Sequence, residues 1–327
     1  MPAVACTTPF AASATPDPSL TALPMVRLWF SVRTLAPLAL PDYAGSMLRG
    51  AFGHALQRLA PLPHDHGGPC ALKESCIYCQ VFATPPLPDH PLQKFSQMPP
   101  AYVIEPPAPG SRSLAKGEPW QFSLVLFGRA LDHLQPILLA LQQALQRGLG
   151  PQHSPCQLLA VHDEAQQPLW IPGQGQPGKA DALPRPRPRA GSSQLARLLF
   201  TTPLRLQLQN RPATRERLTA RGLLIALARR WQLLADTHLG RRAPQLDFTA
   251  LTQAASALEL HAETLQWMDW NRYSSRQRQR MTLGGLTGPL TLQGPLAPFL
   301  DLLHLGQWLH VGKGTAFGLG QYHIQAP

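Results

Sequence analysis

MVRLWFSVRTL, Met25–Leu35, alternates cleanly: Val26, Leu28, Phe30 and Val32 fall on one face, Arg27, Trp29, Ser31 and Arg33 on the other. Period-two alternation of this kind marks a half-buried strand. Pro41-Asp42 then opens a helix that runs to about Leu59, with Asp42 placed to cap its N-terminus. Tyr102–Glu105 and Trp120–Phe127 read as two further strands. Asp132–Gly148 reads as an amphipathic helix despite Pro136 in its first turns, and Gln157–His162 as a short strand. The order β-α-β-β-α-β is that of a ferredoxin-like unit.

Gln166–Ser193 breaks this pattern with Pro, Gly and Gln and the run Pro184-Arg185-Pro186-Arg187-Pro188-Arg189. Alternating proline removes backbone donors and keeps such a segment extended. The second half then repeats the order. Ala196–Leu208 is a bent strand or strand pair, and Thr214–His238 a strong amphipathic helix. Thr264–Tyr273 and Met281–Leu292 are strands, Pro295–Leu305 a helix, and Tyr322–Ile324 a closing strand. The expected fold class is therefore α+β, with two tandem ferredoxin-like (βαββαβ, RRM-like) modules. The expected division is an N-terminal arm (1–24), a first module (25–165), a Pro/Gly/Arg-rich linker or insertion (166–194) and a second module (195–327).

The 327 residues carry 29 Lys+Arg against 18 Asp+Glu, a net charge of +11, although charged residues make up only 14% of the chain. A basic excess on a charge-poor protein points to a polyanion. Most of that charge is arginine, which forks onto phosphates and stacks on bases, so nucleic acid is favoured over a membrane surface. No stretch is long and apolar enough to span a membrane. The Ala-, Thr- and Pro-rich start lacks a basic leader and reads as a loose arm. Five cysteines without a secretory context exclude a disulfide scaffold. A cytoplasmic location is expected.

Four stretches could carry chemistry. In the helix Tyr43–Arg58, Leu48, Phe52, Ala55, Leu56 and Leu59 form an apolar face, and Ser46, Arg49, Gly50, Gly53, His54 and Gln57 the opposite half. Gly50 and Gly53 each cost roughly 1 kcal/mol of helix stability against alanine, which suits a face approached by another backbone. His54 lies one turn from Gly50 and Arg58, and imidazole exchanges protons near neutral pH. A packing histidine beside permissive glycines is the plainer reading. In Asn271–Arg280, an extended chain would put Arg272, Arg276, Arg278 and Arg280 on one face, with Trp267, Trp270 and Tyr273 upstream to stack bases. The alternative is a solvated arginine loop. Gly312, Lys313, Gly314, Thr315, Gly318 and Gly320 form a glycine-rich loop whose amides could approach phosphates; it matches neither a Walker loop nor a dinucleotide fingerprint and could be a tight turn. Cys70, Cys76 and Cys79, with His64 and His66 nearby, could hold a structural zinc, although the spacing also suits reduced thiols. No catalytic metal set is present, and the shortage of carboxylates argues against a two-metal nuclease.

These residues carry a resemblance. Leu48-Arg49-Gly50-Ala51-Phe52-Gly53-His54-Ala55-Leu56 looks like the first-helix motif of the CRISPR repeat-processing endoribonucleases, within the RAMP superfamily. Phe200-Thr201-Thr202-Pro203-Leu204-Arg205-Leu206 resembles the strand that opens their second module. Tyr273-Ser274-Ser275-Arg276-Gln277 and Gly312–Gly320 resemble their C-terminal block, and the Cys-rich loop is also similar. The resemblance implies tandem ferredoxin-like modules, binding of CRISPR repeat RNA, and antiviral defence as the setting. It implies metal-independent cleavage of precursor crRNA that leaves a 2′,3′-cyclic phosphate, with the guide passed to an effector complex. A first-helix histidine often acts in this family, which points to His54, with Tyr43, Arg49 and Arg58 as candidate helpers. Two rival readings are a non-catalytic crRNA-binding subunit of a CRISPR effector complex and a zinc-stabilised nucleic-acid adaptor.

Overall fold

A computed structural model describes residues 20–60, 70–72, 75–87, 90, 98–178, 194–208, 211–274 and 279–325. The first module contains β1 (Met25–Thr34), β2 (Leu38–Leu40), α1 (Gly45–Leu59), β3 (Tyr102–Glu105), β4 (Arg112–Leu114), β5 (Pro119–Phe127), α2 (Leu134–Arg147), β6 (Cys156–His162) and β7 (Pro168–Trp170). Its main sheet has the order β3-β5-β1-β6-β7 and is antiparallel throughout. That is the ferredoxin-like arrangement with one added edge strand, and β2 pairs with β4 as a separate ribbon. Val26, Leu28, Phe30 and Val32 are buried as the alternation requires, and Phe30 stacks on Phe122 with centroids 4.8 Å apart. Each such side chain contributes about 1.5–3 kcal/mol by leaving water.

The second module contains β8 (Leu195–Leu204), β9 (Gln207–Leu208), β10 (Arg211–Pro212), α3 (Ala220–Leu239), α4 (Phe248–Ser256), β11 (Glu259–His261), β12 (Gln266–Ser274), β13 (Gln279–Gln293), α5 (Leu300–Leu309) and β14 (Tyr322–Gln325). Its sheet runs β11-β13-β8-β14, with β12 also paired to β13, while β9 and β10 form a small ribbon. The same fold is thus used twice. Thr219 caps α3 by accepting from the Gly222 amide at 3.0 Å, so the helix begins after a 3-10 turn at Arg215–Arg217 and not at Thr214. Among the described residues, no helix is long and apolar enough to cross a membrane.

Three expectations are corrected. Asp42 does not cap α1: the helix starts from Ala44 without a side-chain cap, and the Asp42 carboxylate accepts from the Ser111 amide at 3.0 Å. The polar face of β1 is not simply solvated. Met25 and Arg27 are buried, and Met25, Val103, Val125 and Phe127 share one core with Leu224, Leu227 and Trp231 of α3. The second module covers that end of the first sheet's open face. The N-terminal arm is anchored at its end, where Leu20 and Leu23 are buried and Leu20 accepts a hydrogen bond from the Trp231 indole at 3.1 Å. The arm before residue 20, the Pro-Arg run, His64, His66, Arg276 and Arg278 lie outside the described residues.

Candidate nucleic-acid interface and proton-transfer helix

α1 is fixed on two sides. At its N-terminal end the Gly-rich loop lies directly against it. Tyr43 is buried, its ring stacks on Trp270 at 4.2 Å, and its hydroxyl donates to the Phe317 carbonyl. Gly45 admits that carbonyl where any Cβ would clash. Further along, Gly53 is buried because the Phe82 ring fills the place of a side chain, and the Arg49 guanidinium stacks over the same ring at 4.4 Å. Gly50, in contrast, is exposed and has open space around it. The two glycines thus differ: Gly53 serves internal packing, and Gly50 leaves backbone open to a partner. His54 and Arg58 are exposed and follow Gly50 at four-residue intervals, so the three form one ridge. Partial burial and the neighbouring Arg147 lower the pKa of the Arg58 guanidinium.

The Gly-rich loop is a clasp between modules. Gly312, Gly314, Gly318 and Gly320 all have positive φ, +96°, +81°, +96° and +72°, which β-carbon-bearing residues avoid. Its amides are largely engaged within the protein. Lys313 N–H donates to the Arg205 carbonyl (2.8 Å), Gly320 N–H to Pro203 (3.0 Å), Gly318 N–H to Thr315 (2.8 Å) and Leu319 N–H to Gly314 (3.3 Å). Thr315, Gly318 and Gly320 are buried, Gly312 and Gly314 half-buried, and Lys313 is exposed. A cradle of many free amides is therefore not what the loop presents; Lys313 supplies a charge instead. Lys313 lines a cavity of about 200 Å³ together with Arg205, Gln207, Trp267, Asp269 and Gly284. Trp267 is 46% exposed, and its indole N–H donates to Asp269 at 2.9 Å. Burial lowers the pKa of Arg205. Trp270, by contrast, is buried against Tyr43 and unavailable as a stacking platform.

β12 and β13 form the hairpin that carries the arginine-rich segment. Arg272 pairs with Met281 and Arg280 with Tyr273.

A buried polar cluster, absent from the sequence-based reading, joins the modules beneath the loop. Arg27 donates from Nε and Nη2 to Glu105, both at 2.9 Å, from Nη1 to Glu164 at 3.0 Å, and from Nη2 to the Gln307 carbonyl at 2.8 Å. Its guanidinium also lies over Trp308 at 4.9 Å. Glu105 accepts from Ser123 as well, and His310 Nε2 is 3.0 Å from its Oε1. Burial alone would raise the Glu105 pKa; Arg27, His310 and Ser123 outweigh it and hold the carboxyl at about 2. Burial, with Arg27 and Arg230 nearby, lowers the pKa of His310. Both His310 nitrogens face acceptors, the second being the Leu319 carbonyl at 3.2 Å. A neutral ring has one proton, and the shorter, charge-assisted contact with Glu105 claims it.

Residues 198–322 match the family model of the CRISPR-associated endoribonuclease Cas6. The second module is therefore similar to the Cas6 endoribonucleases. Residues 23–182 match a second family model, described as an N-terminal domain. Cas6 of Thermus thermophilus is similar in fold, with a TM-score of 0.51 and 16% identity over 93% of this chain and 100% of that one. A Cas6 product complex gives 0.56 and 17% over 92% and 99%. A chain of a partial Cas6–RT–Cas1–Cas2 complex gives 0.55 and 13% over 93% of this chain and 46% of that one. No curated protein matches the chain in sequence. The tandem ferredoxin-like fold expected from the sequence is thus that of Cas6. The glycine-rich block, the β12–β13 hairpin and all but the first three residues of β8 fall inside the matched region.

Proposed function

We propose that this protein binds CRISPR repeat RNA and cuts precursor crRNA by metal-independent attack of a ribose 2′-hydroxyl. The match of residues 198–322 to an endoribonuclease family model supports the substrate class. The observation that carries the chemistry is the exposed ridge of Gly50, His54 and Arg58 on α1, the helix against which the Gly-rich clasp is seated. His54 takes the proton of the 2′-hydroxyl, whose oxygen attacks the adjacent phosphorus. The bond to the leaving 5′-oxygen breaks, that oxygen takes a proton from water, and a 2′,3′-cyclic phosphate remains. Gly50 lets the RNA backbone approach, and Arg58 offsets charge on the phosphorane. Tyr43 and Arg49 act as positioning residues, since one hydroxyl is bound to the loop and one guanidinium stacks on Phe82. Lys313, Arg205 and the arginines at 272, 276, 278 and 280 neutralise phosphates, while Gly312, Gly314, Thr315, Gly318 and Gly320 shape the loop that presents Lys313. The processed guide passes to a CRISPR effector complex.

The test is cleavage of labelled repeat RNA in EDTA, beside the same RNA with 2′-deoxyribose at the cut nucleotide. The first should be cut once to a cyclic phosphate end. The second should bind equally and stay intact; its cleavage would overturn the mechanism. Tight binding with no cut of either RNA would favour a non-catalytic crRNA-binding subunit.

A further inference from the structure

The connection between α1 and β3, residues 60–101, is far longer than most. Loops beyond about 12–15 residues without structure of their own are uncommon and need something to hold them. Among the described residues of this one, regular structure is limited to a π-helical turn, Tyr78–Phe82. Yet its centre is well buried: Cys76, Ile77, Cys79 and Val81 are all nearly inaccessible. Phe82, on the same turn, is the ring that occupies the space at Gly53 and stacks with Tyr102 at 5.6 Å. The turn is therefore the prop behind α1, one residue from His54.

Three sulfurs meet at the base of this turn. The Sγ atoms of Cys70, Cys76 and Cys79 all lie within 4.8 Å of one another. Tetrahedral zinc–thiolate bonds of about 2.3 Å place sulfurs roughly 3.8 Å apart, so closing on an ion needs movements of no more than about 1 Å. Cys76-x2-Cys79 brings two donors from a single turn, the usual bite of a structural zinc knuckle, and Cys70 adds a third from the approaching strand of chain. As protonated thiols the three crowd one another, with Cys76 and Cys79 buried. A divalent cation reverses that cost by binding the thiolates, and sulfur donors without carboxylates select zinc over magnesium or calcium.

We propose that Cys70, Cys76 and Cys79 bind one Zn²⁺, which pins the 60–101 connection and, through Phe82, braces α1. The role is structural. Each thiol releases its proton on binding, so uptake weakens as pH falls.

The experiment is elemental analysis of the full chain purified without chelator, followed by titration of the wild-type protein with a mercurial reagent beside a zinc-sensitive dye. About one zinc per chain, released in step with three thiols, is the expected result. Substitution with Co²⁺ should give a thiolate-to-metal charge-transfer band, lost in Cys79→Ser and Cys76→Ser and kept in Cys156→Ala. Chelation should lower the melting temperature of wild type. Metal-free protein that takes up no Co²⁺, iron in place of zinc, or a Cys76–Cys79 disulfide found by mass spectrometry would each overturn the proposal. The mercurial titration uses wild type, so misfolding of a variant cannot obscure the answer. None of these readouts involves RNA cleavage, so the result stands apart from the function proposed for His54.

Discussion

Glu105→Gln removes one charge at the centre of the module interface and almost no volume. The four groups around this carboxylate, Arg27 Nε, Arg27 Nη2, Ser123 Oγ and the His310 ring, all need an acceptor there. A carboxylate accepts on both oxygens, whereas an amide must turn two hydrogens toward one pair of these donors. The carboxyl is held at about 2 against an ordinary 4.5, which corresponds to about 3 kcal/mol in favour of the ionised folded state. Breaking a buried ion pair from one side typically costs about 3–5 kcal/mol, because the remaining charge is left without its partner. Glu105→Gln should therefore lose about 3 kcal/mol in urea unfolding at neutral pH. The double variant Arg27→Met with Glu105→Leu should cost clearly less than the two single changes together, since no orphaned charge remains. The depressed carboxyl contributes its stability above the ordinary carboxylate range and loses it as pH falls toward about 2. Wild type should thus destabilise over that window more steeply than Glu105→Gln. A loss under about 1 kcal/mol, or strict additivity of the two changes, would refute the reasoning.

Four further outcomes follow from the same structure. Burial, with Arg129 alongside, holds the pKa of His238 down to about 4, and its Nδ1 accepts from the Arg129 amide at 3.3 Å. The unfolded chain takes up a proton near pH 6.5 and the folded one does not, so stability should fall by about 3 kcal/mol between pH 6.5 and 4; a His238→Gln variant with the same acid profile would contradict this. Gly50→Ala and Gly53→Ala should move urea stability in opposite directions. Open space at Gly50 leaves a gain of about 0.5–1 kcal/mol, while the Phe82 ring at Gly53 imposes a loss of about 1–3 kcal/mol. Lys313→Ala should weaken repeat-RNA binding and flatten its dependence on log salt by about 0.7. Trp267→Ala should weaken binding by about 1–3 kcal/mol with an unchanged salt slope, as loss of a stacked base requires.

The repeated βαββαβ order was legible because alternating strands such as Met25–Thr34 and Trp120–Phe127 declare themselves locally. α4 was missed, although its start was signalled: Asp247 accepts from the Thr249 and Ala250 amides, both at 2.9 Å, as an N-cap should. Its weakness as a signal is that only Ala255 is buried. Interfaces between modules were not legible. Arg27 reads as a solvent-facing residue in an alternating strand, and its partner Glu105 is 78 positions away. The Gly-rich loop was visible as a motif, but the fate of its amides was not, because their acceptors at Pro203 and Arg205 lie more than a hundred residues upstream. The ridge at Gly50, His54 and Arg58 was readable from helical spacing. Telling Gly50 from Gly53 needed Phe82, which the chain brings back from a distant turn.

The central claim is that His54 transfers the proton in RNA cleavage, and single-turnover cutting of the CRISPR repeat RNA by wild type and His54→Ala tests it directly. Wild type should cut once, and the variant should bind as tightly but cut about 10²–10⁴-fold more slowly. Equal rates from both proteins would move the chemistry away from the α1 ridge and contradict the account.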